Sequence, residues 1–258
     1  MESGWVDTAE LDRLRGAAGG DAPRVEAITF SGEPAIIKRQ RPPRPLASTH
    51  ALRLISGMTG LPLYGAPVSG GPQAQATEVR RLRELHAAGV TVPRVLHEDA
   101  GFFVMEMLPG ANLACVLADQ PADVGSWRAG LEFILHAHAR GQYFSQCFAR
   151  NLIASPGGVA AIDFEDDPLQ LMPLHAAQAR DWLMYLCSTV WLLQLGHEEL
   201  LRIWTGIAEA ENRAVTGVLQ RSARRLGWLR HLPRERRPWG RDVVSLQGAA
   251  SFLHAWIR

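Results

Sequence analysis

Lysine is almost missing from this chain: of its 27 basic residues, 26 are arginine and one, Lys38, is lysine. A heavy Arg and Ala bias points to a high-GC bacterial genome, where surface lysine has drifted to arginine. The lysine that persists then marks a place where a guanidinium does not serve. Arginine is a wide planar fork, whereas lysine is a compact point charge that reaches into a phosphate cradle. Cysteine is also scarce. Cys115, Cys147 and Cys187 are far apart and form no CxxC pair, which argues against a zinc site or a disulfide framework. Cys147 is expected to be a buried, inert thiol. A long apolar run is missing too. The most apolar stretch, "WLMYLCSTVWLLQL" at 182–195, is too short to span a bilayer and reads as a buried helix. The start, "MESGWVDTAELDRLRG", has no basic segment followed by an apolar one, so no signal peptide and a cytoplasmic location are expected. There is no excess charge of either sign: 27 basic residues face 26 acidic ones, which gives no global pull toward nucleic acid. His136 and His138 lack HExxH spacing and are expected to be core or surface residues of the helix end, not metal ligands.

What is present is a chain of 258 residues, 47% hydrophobic, ample for one large domain or one domain of two lobes. "RVEAITF" (24–30) alternates as a strand, "SGEP" is a turn, and "AIIKRQ" is a second strand that carries Lys38 near its end. "GAAGGDA" (16–22) ahead of this hairpin reads as a Gly-rich loop from an earlier strand. Residues 41–76, rich in Pro and Gly, read as an irregular insertion, with room for a short helix at "THALRLISG". From Thr77, Val79, Leu82 and Leu85 fall at helical spacing, and Gly89 is placed to stop the helix.

"VTVPRVLHED" and "GFFVMEML" read as strands and "PGANL" as a turn. "SWRAGLEFILHAHARG" is an amphipathic helix with Ser126 as its expected N-cap. "NLIA" and "GVAAIDF" flank "SPGG" as a strand pair, and the remainder is helical. Strands in front and helices behind imply an α+β protein of two lobes, 1–110 and 111–258.

Four residues then line up in order: Lys38 at a strand end, Glu78 early in a helix, Asn151 after a long helix, and Asp163 at the end of an apolar strand. A triphosphate needs a cation held in fixed geometry, which a Lys gripped by a Glu supplies. Mg²⁺ needs hard oxygen ligands, which an Asn amide and an Asp carboxylate supply. Each residue also has an ordinary explanation: a surface charge for Lys38, a first-turn acid for Glu78, turn formers for Asn151 and Asp163. Glu84, on the same helix as Glu78, is the competing partner for Lys38. The acids Glu165, Asp166 and Asp167 crowd Asp163, and such a cluster is costly without a cation.

In this order and context the strings "AIIK", "EVRRLRELHAAGVTVPRVL", "FVMEMLPGANL", "IDFE" and "RDWLMYL" resemble the protein-kinase-like superfamily, over about residues 16–195. The resemblance is to its atypical branch, which includes bacterial lipopolysaccharide core kinases and RIO-type kinases. It implies a small β-rich N-lobe, a larger helical C-lobe, and ATP with Mg²⁺ as cofactors. It implies that Gly19, Gly20, Lys38, Glu78, Glu106 and Leu108 bind nucleotide. Asn151 and Asp163 would hold metal, and Asp181 would brace the catalytic loop.

The chain departs from the family at one position. Where such kinases carry His-Arg-Asp, then four residues, then the Asn, this chain has Phe144, Ser145 and Gln146. Gln accepts a hydrogen bond but takes no proton at neutral pH. Either transfer proceeds without that base, or with Glu165 or Asp166 as substitute, or the chain is a pseudokinase that binds nucleotide and transfers nothing. Between Arg221 and Arg241 lie eight Arg and one acid, Glu235, together with Trp228 and Trp239. That segment fits an anionic saccharide or lipid acceptor at a membrane surface, or else a solvated face. No nucleic-acid module is recognisable.

Overall fold

A computed structural model describes residues 8–18, 22–40, 70–235 and 238–258. The fold is α+β. A four-stranded antiparallel sheet, in the order β1-β2-β4-β3, is built from β1 (Val25–Phe30), β2 (Glu33–Arg39), β3 (Val95–Glu98) and β4 (Phe102–Glu106). The β1–β2 connection is a tight turn in which Ser31 and Gly32 both have positive φ, the requirement of a hairpin turn that follows the strand twist. Strand parity gives the sheet two distinct faces. Ala35, Ile37, Phe102 and Val104 cluster on one face with Phe30 and with Leu14 of α1 (Thr8–Ala18). Ile36 and Lys38 therefore point to the other face, where Phe103 and Met105 pack under α2 (Gly71–Ala87).

The buried residues of α2 include Ala74, Glu78, Leu82 and Leu85. These recur every three or four positions and so form one helical stripe. Glu78 lies in that stripe, facing the sheet, although it is charged. Gly89, at φ 74°, takes the left-handed conformation just past the helix end, as its spacing suggested.

A second, three-stranded sheet joins β5 (Ala111–Asn112), β6 (Leu152–Ser155) and β7 (Gly158–Ala161). The rest is helical: α3 (Leu113–Asp119), α4 (Val124–Ala139), α5 (Leu174–Thr189), α6 (His197–Ala210), α7 (Arg213–Leu226) and α8 (Arg241–Trp256). Their shared core centres on Trp127, Trp182, Tyr185, Trp204 and Phe252, with the Trp182 and Trp204 rings 5.3 Å apart and edge-on. Among the described residues no helix is long and apolar enough to cross a membrane.

The structure corrects several local expectations. The element before the first hairpin is helix α1, not a strand, and Gly16 belongs to it. Leu14 seats that helix on the sheet, a tertiary contact that outweighs the local Gly content. Helix α2 starts at Gly71, so residues 71–76 are not part of an irregular insertion; Pro72 at the first turn suits a helix start. Residues 41–69 lie outside the described residues. "PGANL" is not only a turn: Asn112 caps α3 by accepting from the Cys115 N–H. Helix α4 is capped by Asp123, whose carboxylate accepts from the Ser126 N–H, and not by Ser126 itself. The helical stretch 197–226 breaks between α6 and α7, where Asn212 caps the second helix.

Candidate active site

The side chain of Lys38 is 7% exposed and sits among three carboxylates. Its Nζ lies 2.7 Å from Glu78 and 2.9 Å from both Asp163 Oδ1 and Glu165 Oε1. Parity on β2 and the apolar stripe of α2 bring the first pair together. Glu84 is not the partner; it is taken by Arg80 and Arg81 on its own helix, at 2.8 and 2.5 Å. Burial raises the pKa of Glu78, and the neighbouring Lys38 charge pulls it back only in part. Arg24, at the entrance to β1, forms an ion pair with Glu165.

Asp163 follows β7 and Ile162 and has φ 71°, one of two non-glycine residues with positive φ among those described. Left-handed backbone costs an L-residue roughly 1–2 kcal/mol. Here it turns the chain sharply between two differently placed side chains. Asp163 projects to Lys38, while Phe164 is buried, 6.4 Å from the Phe144 ring. The Phe164 N–H donates to Glu78 at 3.4 Å, so one carboxylate ties Lys38 to this bend.

The loop 144–151 is held at nearly every residue. The Phe144 N–H donates to Asp181 Oδ2 at 2.9 Å, and the Ala149 N–H to Ser188 Oγ at 2.9 Å. Arg180 donates to the Ser145 carbonyl, and Ser145 Oγ donates to the Asp166 carbonyl. Asn151 Nδ2 donates to the Gln146 carbonyl at 3.0 Å, which fixes the amide with its oxygen free of hydrogen bonds among the described residues. The Gln146 side chain donates to Asp166 Oδ1 at 3.4 Å. Asp166 is buried, and burial pushes its carboxyl up to about 6 in spite of Arg180 at 3.1 Å. Asp167 is occupied elsewhere: it accepts from Tyr143 at 2.7 Å and Arg80 at 2.6 Å and caps the short turn at Pro168–Gln170.

Behind this loop stands a fully buried network. His138 Nδ1 lies 2.6 Å from Glu211 and Nε2 lies 3.3 Å from Asp181, while Trp182 donates to Glu211 at 2.8 Å. Burial pulls the His138 pKa down, but the two carboxylates outweigh it and leave it raised. His138 is thus a core residue of the helix end, and there it supports the loop.

Of the candidate residues, the fold gathers Lys38, Glu78, Asp163 and Glu165 into one cluster, and joins Gln146 to Asn151. Glu106 ends β4, with its carboxylate engaged by Arg94 at 3.2 Å, and Leu108 is half-buried just beyond. Gly19 and Gly20 lie outside the described residues. Arg24, Arg180 and His138 were not singled out as site residues from the sequence. Their signal lay only in adjacency: Arg180 precedes Asp181, and Arg24 precedes Val25, which pairs with Lys38 across the hairpin.

No protein-family model matches the chain, and no curated protein is similar to it. Among solved structures, it is similar to Rad53 residues 1–466 in complex with AMP-PNP, at 15% identity and a TM-score of 0.41. The match covers 95% of this chain and 63% of that one, so the chain spans under two thirds of the Rad53 length. A likeness this slight carries no functional conclusion; the geometry of the Lys38 cluster does.

Proposed function

We propose that this chain is a two-lobed, kinase-like protein that binds ATP with Mg²⁺ between its lobes and transfers phosphate to a hydroxyl. The observation that carries the proposal is the convergence of Glu78, Asp163 and Glu165 on the single lysine. Lys38 and Glu78 are buried and Asp163 is about one third exposed, and such a concentration of charge, with Arg24 beside Glu165, is not needed for stability, because desolvating a charge costs several kcal/mol. A cluster of this kind suits a site whose ligand brings both phosphate and a cation.

The donor set fits the metal. Glu78, Asp163 and Glu165 each offer a carboxylate oxygen within 4.8 Å of one another, and hard oxygen donors suit Mg²⁺. Asp163 and the free amide oxygen of Asn151 would hold the ion, and Glu165 is a third donor. When bound, the ion neutralises charge on the phosphate oxygens. Lys38 would bind a phosphate oxygen, oriented by Glu78. Arg24 would balance Glu165 or, once Glu165 turns to the metal, face the phosphates itself.

Gln146 favours a second reading, nucleotide binding without transfer, because it cannot take the acceptor's proton. In the first reading Glu165, in the Lys38 cluster, and Asp166, which touches Gln146, are the candidates for a substitute base. The narrower assignment to the lipopolysaccharide core kinase or RIO-type branch rests on the sequence strings alone.

Thermal shift with ATP and Mg²⁺ tests the binding. At 100 times Kd, ligand should stabilise the fold by about 2.7 kcal/mol. Lys38→Met should weaken binding by about tenfold or more, the scale of one charge-assisted hydrogen bond. No shift with any nucleotide and metal would refute the proposal. Binding without phosphate transfer would leave the second reading.

A further inference from the structure

A cavity lies apart from the Lys38 cluster, between α3, the loop before Asn151 and the end of α5, with a volume of about 610 Å³. That is within the usual range for small-molecule sites, roughly 300–1,000 Å³. Phe148, Arg150, Trp191 and Arg241 line it, with Cys115 and Asp119 on the α3 side. The Arg150 guanidinium lies 4.3 Å from the centre of the Phe148 ring, and that of Arg241 lies 6.0 Å from the Trp191 ring. Among the described residues neither arginine forms an ion pair. Elsewhere most site arginines are matched: Arg80 with Asp167, Arg180 with Asp166, Arg24 with Glu165. Among the described residues of the Arg-rich segment 221–241, Arg241 is the arginine that reaches this cavity.

We infer that this cavity binds a phosphorylated sugar or polyol. Two arginines without carboxylate partners supply the fork-shaped donors that phosphate oxygens take. Trp191 and Phe148 offer the flat apolar faces against which a sugar ring packs. Asp119 adds a carboxylate that accepts hydroxyl hydrogen bonds. A purely apolar ligand leaves the two arginines unmatched, and inorganic phosphate leaves the aromatic walls unmatched. The wall residues Phe148 and Arg150 belong to the loop that runs into Asn151, so a ligand here lies beside the candidate nucleotide site. Its role as phosphate acceptor rests on the nucleotide-binding proposal; its binding does not.

Cys115 makes the cavity readable. It is exposed in the wall, whereas Cys147 is buried and Cys187 is largely covered, and burial raises both of their thiol pKa values. The experiment follows alkylation of Cys115 by iodoacetamide, by mass spectrometry of the full chain, during titration with glucose 6-phosphate and ribose 5-phosphate. Both should slow alkylation saturably, while glucose and inorganic phosphate alone should need far higher concentrations. Arg150→Gln and Arg241→Gln should each raise the half-protecting concentration by about tenfold. Thermal shift with ATP and Mg²⁺ on the same variants reads the other site separately. Protection by sugar phosphates without an ATP shift supports this cavity and refutes the nucleotide proposal. An ATP shift without protection of Cys115 overturns the inference, as does protection that survives loss of both arginines or is matched by inorganic phosphate.

Discussion

The Phe144 N–H donates to Asp181 Oδ2 at 2.9 Å, and through that bond helix α5 holds the head of the loop that carries Gln146 and Asn151. The same oxygen faces His138, so the loop's position depends on a buried pair of charges two steps away. Asp181→Ala is expected to destabilise the chain by about 3 kcal/mol, because it leaves His138 beside one carboxylate and the Phe144 N–H without an acceptor. Urea denaturation of the variant and the wild type measures this. A loss well under 1 kcal/mol would show that the network contributes little.

His138 gives the fold a pH dependence of definite sign. Its folded pKa is raised, so its contribution is complete below its unfolded value, about 6.5, and is lost as pH rises through the folded pKa. Glu211 works in the opposite direction. Its pKa is lowered although burial raises it, since His138 hydrogen-bonds to it; its contribution is lost as pH falls through that lowered value. The wild type should therefore lose melting temperature from pH 6 toward pH 9 more steeply than His138→Gln. Parallel curves for the two proteins would contradict this assignment.

Glu78 and Glu84 are six residues apart on α2, yet only Glu78 reaches Lys38. Glu78→Gln should weaken nucleotide binding by about tenfold, through loss of the charge that orients the lysine. Glu84→Gln removes pairs with half-exposed Arg80 and buried Arg81, neither of which touches Lys38, and should change binding by less than about twofold. Calorimetric titration of both variants with Mg²⁺ and ATP checks the contrast.

Gln146→Asp places a carboxylate where, on the proposed function, the acceptor's proton would go. Transfer should rise by at most roughly 10²-fold. One contact limits the gain. Asp166 Oδ1 now accepts from the Gln146 amide, and a carboxylate there substitutes like-charge repulsion for that bond. Asp166→Asn separates the possibilities. If Asp166 is the substitute base, its loss abolishes wild-type transfer; a fully active Asp166→Asn protein would exclude that role.

Gly130 on α4 faces the Tyr185 hydroxyl, and a Cβ there would lie 2.2 Å from it. The hydroxyl is pinned by donating to the Trp127 carbonyl at 2.7 Å, so it has little room to give. Gly130→Ala should cost about 1–3 kcal/mol from overpacking, in spite of alanine's better helix propensity. Thermal melting of that variant measures the cost.

Order and periodicity in the sequence were enough to place Lys38 on the second strand of a hairpin and a mostly helical second half; they put Asp163 at the end of an apolar strand, which in the structure stops at Ala161. These are local properties: alternation marks a strand, three-and-four spacing marks a helix, and both survive without knowledge of neighbours. The singularity of Lys38 was likewise legible from composition alone. Local pattern could not choose between Glu78 and Glu84, since both lie on one helix; the packing of α2 on the sheet chose. It could not foresee α1 either, because a Gly-containing, weakly amphipathic segment becomes a helix when Leu14 finds Phe30, Ile37 and Phe102. Nor could it pair Arg24 with Glu165 or set His138 between Asp181 and Glu211, residues 43 and 73 positions away. Charges carry no periodic signature of their partners. Their pairing is decided only when burial removes water and leaves each charge with whatever the fold has brought beside it.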